Sequence, residues 1–221
     1  MHSPNEDMEN QNLHAPSTLL FLPGASGNTA FWQPLAGQLK HPATQVFVGY
    51  PGFGQAPVAP DVNDIDDLVR MVVSRIDRPT ALIAQSMGGV IAIRAALEKP
   101  DLVTHLVLTV TSGGLDTRAL GAADWQNEFI QANPTFPDWF TSFKADLTDA
   151  LGRITQPVLL LWGDADPISP VAVGERLAEL LHDAQLHVIS GGNHNLAHEH
   201  ALQLAPLVDA HLLRRGASDR A

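Results

Sequence analysis

Leu82-Ile83-Ala84-Gln85-Ser86-Met87-Gly88-Gly89-Val90 decides how the chain is read. It begins as an unbroken apolar run of strand type, breaks at small residues around one serine, and resumes at helical spacing through Val90, Ile91, Ile93, Ala95, Ala96 and Leu97. A serine at such a junction sits on a sharp strand-to-helix turn. The turn exposes its hydroxyl and aims the positive end of the helix at whatever the hydroxyl attacks. Ser86 is therefore a candidate nucleophile, and the competing reading is a serine that merely caps the helix it begins.

Outward from this stretch, short apolar runs recur. Thr18–Leu22, residues 45–49, 80–84, 105–110, 157–162 and 185–189 each read as a strand buried on both faces. Between them, residues 29–40, 61–76, 86–98, 171–182 and 199–214 carry helical spacing. Alternation of this kind predicts an α/β fold: a doubly wound, all-parallel sheet of about six strands. Residues 111–156 break the pattern and read as an insertion between the fourth and fifth strands. Trp125 and Phe129 sit four apart on one expected helix, and Trp139, Phe140, Phe143 and Leu147 form an apolar stripe on another. Residues 1–16 and 216–221 read as tails around a single domain spanning 17–215.

In an open parallel sheet, ligands bind beyond the carboxyl ends of the strands. The loops at that edge hold Gly24 to Asn28, Ser86, Asp164 and Asp166, and His194. A serine is a weak nucleophile until a base lies within hydrogen-bond reach and an acid orients that base. His194, after a strand and a Gly-Gly turn, is the candidate base; either Asp164 or Asp166 could be the acid. An oxyanion would need two backbone N–H donors. The residue after the serine, Met87, supplies one, and the loop after the first strand supplies the other at Ala25. Ser26 could add a hydroxyl. His194, His198 and His200 lack the glutamate of a zinc-protease motif, and no metal is expected.

Bulk properties narrow the classes. The chain has 221 residues, a net charge of -11 and no cysteine. Disulfides, thiol nucleophiles and Cys-ligated zinc are excluded. So acidic a chain is poorly suited to hold nucleic acid or an anionic membrane by general electrostatics. No apolar run is long enough to span a bilayer, and the acidic start is unlike a signal peptide, so a cytoplasmic protein acting on a small molecule is expected.

These residues resemble the α/β-hydrolase superfamily. The likeness runs from Thr18 to about residue 214. It rests on Leu22-Pro23-Gly24-Ala25, Tyr50-Pro51-Gly52-Phe53-Gly54, the stretch around Ser86, Gly163-Asp164-Ala165-Asp166-Pro167-Ile168-Ser169-Pro170 and Gly192-Asn193-His194. It implies a Ser, acid, His order, which this chain keeps. It also implies that Asp166 is the acid, as the fourth residue of Gly-x-x-Asp-x-x-x-Pro. Ala84 replaces the family's first elbow glycine, and Pro23 stands where the family often has histidine. Too few residues precede Thr18 for the usual N-terminal antiparallel strands, so a trimmed core with a short helical cap is expected. The resemblance implies a serine esterase, without cofactor, acting on a small-to-medium, largely apolar ester or related acyl bond. The cap aromatics Trp125, Phe129, Trp139, Phe140 and Phe143 are candidates to line the pocket, although most should simply pack the cap on the sheet. The same residues serve C–C bond hydrolases, thioesterases, perhydrolases and a lyase, and a ligand-binding protein with little turnover is the alternative of another class.

Overall fold

The computed structural model describes residues 15–133, 136–137, 139–140 and 143–214. Of the expected tails, residues 1–14 and 216–221 lie outside the described residues, as does residue 215 at the end of the expected domain.

Among the described residues, six strands form one sheet: β1 (Thr18–Leu22), β2 (Thr44–Phe47), β3 (Thr80–Gln85), β4 (Val103–Thr109), β5 (Val158–Gly163) and β6 (Ala184–Ile189). Their order is β2-β1-β3-β4-β5-β6, and every pairing is parallel. The central strands β1, β3, β4 and β5 are buried almost throughout, as unbroken apolar runs require when helices cover both faces. The edges β2 and β6 are half-exposed. Strand order reverses between β1 and β3, so the loops after these two strands part there and open the crevice where such sheets take ligands.

The helices are α1 (Gln33–Ala36), α2 (Ile65–Val73), α3 (Met87–Glu98), α4 (Gln126–Ala132), α5 (Thr148–Leu151), α6 (Val171–Leu180), α7 (Leu196–Glu199) and α8 (Ala201–Leu212). Helix α3 is buried nearly all round, through Val90, Ile91, Ala92, Ile93, Ala95 and Ala96. That is why its sequence lacks a polar face.

Three expected helices are shorter or broken, each for a local reason. Residues 29–40 form a 3-10 turn, Thr29–Trp32, capped by the Asn28 side chain, and then α1. Pro34 has no N–H to continue the first turn, so the α-helix restarts with the proline in its own first turn. Helix α2 begins at Ile65 and not at 61, because Asp64 is extended and its carboxylate accepts the Asp67 N–H at 2.9 Å. The terminal helix, expected over 199–214, is α8 and starts at Ala201, because His200 before it leaves helical geometry at φ −107° and ψ 25°; the short α7 precedes it.

In the insertion, the stripe expected to form one helix through Trp139 and Leu147 does not. Trp139 and Phe140 are helical, but residues 143–147 have no regular structure. Leu147 instead packs on Gly114, and its N–H donates to the Gly114 carbonyl at 2.9 Å. This long-range anchor overrides the helical spacing. The rings gather around Phe53, in the loop after β2: Phe136, Trp139 and Phe140 lie 5.0, 5.6 and 5.8 Å from it. Phe53 is fully buried, although its neighbours read only as a turn. Gly27 and Gly54, both at positive φ, let the loops after β1 and β2 meet; a Cβ on either would lie within 3 Å of the other loop.

Candidate active site

The turn after β3 is strained. Ser86 has φ 52° and ψ −120°, a conformation that costs a non-glycine residue about 1–3 kcal/mol and persists only where its surroundings enforce it. Here they do. The Ser86 N–H donates to the Thr109 carbonyl at 3.0 Å, and the Ser86 carbonyl accepts from the Gly89 N–H at 2.9 Å and the Thr111 hydroxyl at 2.6 Å. Gly88 and Gly89 make the fit possible. A Cβ on Gly88 would meet the Leu22 and Pro23 carbonyls at 2.6 Å, and one on Gly89 would meet the Thr111 hydroxyl at 2.4 Å. Ala84 is fully buried within the turn where the resemblance offers glycine. The capping alternative does not hold, since the Ser86 side chain makes no bond to α3.

Its hydroxyl instead faces His194, with Oγ 3.0 Å from Nε2. The other ring nitrogen, Nδ1, lies 2.7 Å from Asp166 Oδ2. A carboxylate only accepts, so Nδ1 carries the hydrogen and Nε2 is left to accept from Ser86. Asp166 has a fully buried side chain, and its second oxygen accepts the N–H groups of Ile168 at 2.8 Å and Ser169 at 3.2 Å. The carboxylate is thereby fixed at both oxygens. Asp164, the other aspartate of this loop, points away to accept the Gly191 N–H at 2.6 Å. It ties the loop after β5 to the loop after β6. Of the two acids left open by spacing alone, only Asp166 meets the histidine.

Residues that carried no signal in the sequence hold these groups in place. The buried Gln85 side chain donates to the His194 carbonyl at 3.1 Å, linking β3 directly to the histidine loop. Its Oε1 leaves no room beside Gly24, where a Cβ would lie 2.2 Å away. Ser169, also buried, accepts from the Trp162 indole at 3.2 Å and donates to the Thr111 carbonyl at 3.2 Å. A polar residue one step from a candidate nucleophile or acid, inside an otherwise apolar run, is the one hint that could have found Gln85.

The Met87 N–H opens α3 and has no helical acceptor, and Ala25 lies buried in the loop after β1. Neither amide donates to another protein group among the described residues. Ser26 is exposed, and its hydroxyl accepts the Asn28 N–H at 3.4 Å. Trp125, Phe129 and Phe140 join the aromatic cluster, with Trp125 and Phe129 5.5 Å apart and edge-on. Phe143 is half-buried against the core. His198 lies apart from His194 chemically, since its Nδ1 bonds the Phe31 carbonyl at 3.0 Å. Among the described residues, no three acidic or histidine side chains group as metal ligands, and no helix is long and apolar enough to cross a membrane.

A strained serine before a buried helix, facing a histidine held by an aspartate, invites comparison with known proteins. The family model described as the alpha/beta hydrolase fold matches residues 17–151 and 146–201. The chain belongs to this family. It is 28% identical to a protein of Variovorax paradoxus named as a carbamate hydrolase, RutD, over 82% of this chain and 87% of the other. It is also 28% identical to a pimeloyl-[acyl-carrier protein] methyl ester esterase of Neisseria meningitidis, over 72% of this chain and 79% of the other. Among solved structures, a lipase-esterase related protein from Clostridium acetobutylicum superposes with a TM-score of 0.70 at 19% identity, covering 89% of this chain and 95% of that one. Among the described residues the α/β-hydrolase sheet is all-parallel.

Proposed function

We propose that this α/β hydrolase is a serine esterase that cleaves a small-to-medium, largely apolar ester or related acyl bond through an acyl-enzyme. The observation that carries the reading is the unbroken line from Ser86 Oγ through His194 to the buried Asp166, at 3.0 and 2.7 Å. Such a line lets a weak hydroxyl attack a carbonyl carbon. As the Oγ–C bond forms, the Ser86 proton passes to His194 Nε2, and Asp166 stabilises the imidazolium. The carbonyl oxygen takes up the negative charge, facing the unengaged N–H groups of Met87 and Ala25 and the positive end of α3. The intermediate collapses, the bond to the leaving alkoxide breaks, and His194 returns its proton to that oxygen. Water then repeats the sequence, giving up a proton to His194 as it attacks the acyl carbon, and Ser86 is released with its proton restored. No cofactor enters the balance. The named activities of the two relatives, a carbamate hydrolase and a methyl ester esterase, concern acyl bonds of this kind.

The apolar preference rests on the cap. Its rings cluster with one another and with Phe53 in the loop after β2, and aromatic walls over a substrate would favour apolar acyl or alcohol groups over sugars and phosphates. A fluorophosphonate probe tests the reaction class: the native protein should label and Ser86→Ala should not. A native protein that stays unlabelled beside a labelled control esterase would overturn the reading. A panel of esters, thioesters and vinylogous diketones tests the bond. Short apolar esters should turn over fastest, and a preference for diketones would move the assignment to C–C bond hydrolysis.

A further inference from the structure

We propose that Thr111, the first residue of the cap insertion, is a positioning residue that fixes the oxyanion-binding amide of Met87. The inference rests on the acyl-transfer reading above and concerns a residue that touches neither substrate nor the Ser86 hydroxyl. The Ser86 carbonyl and the Met87 N–H are two ends of one rigid, planar peptide unit. Whatever holds the carbonyl therefore aims the N–H. A carbonyl can only accept, so the single hydroxyl hydrogen of Thr111 is committed to Ser86, at 2.6 Å. The Thr111 oxygen in turn accepts the Gly113 N–H at 3.1 Å. The side chain is held from both sides and fully buried.

Three further features converge on this contact. Val110 has φ 41°, an outlier for a β-branched residue, and it turns the chain at the end of β4 so that Thr111 lies beneath the serine turn. Gly89 lacks the Cβ that would strike the Thr111 side chain. The Thr111 carbonyl accepts from Ser169 Oγ at 3.2 Å, and the Ser169 N–H reaches Asp166 at 3.2 Å. A buried polar chain thus runs from Asp166 to the Ser86–Met87 peptide without passing through His194. A hydrogen bond to the carbonyl end of a peptide also polarises its N–H, strengthening it as a donor. The fold thereby anchors the cap and the oxyanion donor at one point, and holds the Ser86 strain against relaxation.

Thr111→Val removes the hydroxyl and keeps the shape. Deleting an oxyanion donor outright costs about 10²–10³ in kcat, and Thr111 only aims one, so kcat should fall about tenfold with KM unchanged. The rate of fluorophosphonate labelling should fall in parallel, while its pH dependence keeps its form because the Asp166–His194 pair is untouched. Thr111→Ser, which keeps the hydroxyl, should restore the native rate. Wild-type kcat in Thr111→Val, a loss confined to KM, or equal losses in the serine and valine variants would each overturn the proposal. If the valine variant does not fold, Thr111→Cys carries the test, since a thiol is a weak donor. It should give an intermediate kcat, and a wild-type kcat would overturn the proposal. A native protein that does not label would overturn the reaction class itself, an outcome distinct from all of these.

Discussion

The sheet carries histidines at both ends, and they are held in opposite ways. At the carboxyl end, His194 sits on the loop after β6 with its side chain 23% exposed and one nitrogen on a buried carboxylate. Toward the amino end, His105 on β4 and His211 on α8 are both 2% exposed, with rings 5.3 Å apart and edge-on. Among the described residues, no carboxylate bonds to either. His105 bonds the Thr104 hydroxyl at 3.0 Å and the Arg214 carbonyl at 2.9 Å. The charges that reach the pair are the cation of Arg214, itself 2.5 Å from Asp183, and His41 beside Asp209. Burial above all lowers His105 to about 4, with the Arg214 carbonyl opposing it. Burial, then His105 itself, lowers His211 to about 3. The lesson is that the histidine proposed to carry a proton has a partner carboxylate and partial exposure, whereas burial without a carboxylate makes His105 and His211 neutral, nearly apolar fillers.

The largest expected effect breaks the carboxyl-end arrangement. In Asp166→Asn, the amide oxygen is retained by the Ile168 and Ser169 N–H groups, so the amide nitrogen must face His194. Two donors cannot bond, and the histidine has to move its hydrogen to Nε2, which then cannot accept from Ser86. A drop of about 10⁴ in kcat is expected, as for the corresponding change in a serine protease triad. The melting temperature should barely move. Steady-state hydrolysis of the best ester found in the panel checks this; near-native turnover would sink the assignment of Asp166.

A smaller effect, in stability, belongs to the other end. The folded values of His105 and His211 lie below the unfolded value of 6.5, so the unfolded chain binds more protons. Their contribution is fully present above pH 6.5 and is lost as pH falls toward 4, at up to roughly 1.4 kcal/mol per unit for each histidine. Urea unfolding between pH 7 and 4.5 should show the decline, and His211→Leu should flatten it. Equal slopes in native and variant protein would remove the contrast between the two ends.

The all-parallel sheet of about six strands and the residues at its carboxyl edge were legible because each depends on local pattern: apolar runs, and a chemical group placed just after a run. Ser86 follows a strand directly, and Asp164, Asp166 and His194 stand in the loops after β5 and β6, so reading the strands located them; the choice of Asp166 over Asp164 came from the family resemblance. Thr111, Ser169 and Gln85 were not legible. Their roles depend on β3 lying beside β4 and β4 beside β5, which sequence spacing does not encode. Phe53 was hidden by its neighbours, Gly52 and Gly54, which mark a turn while the ring between them gathers the cap. The helix limits moved at Pro34 and Asp64, where one missing or one added hydrogen bond decides the end.

The smallest expected effect tests whether the two aspartates of one loop differ as their contacts require. Asp164 is exposed, and among the described residues its carboxylate accepts only the Gly191 N–H, at 2.6 Å. Asn at this position keeps a carbonyl oxygen for that bond and loses only its charge. A bond to a charged acceptor contributes about 1 kcal/mol more than one to a neutral acceptor, and exposure reduces this further. Asp164→Asn should therefore change kcat by no more than about threefold, with a small fall in melting temperature as the loop carrying His194 loosens. Turnover lost in Asp164→Asn and kept in Asp166→Asn would exchange the two roles. The contrast between the two ends of the sheet would then have to be redrawn around a carboxylate that the histidine does not touch.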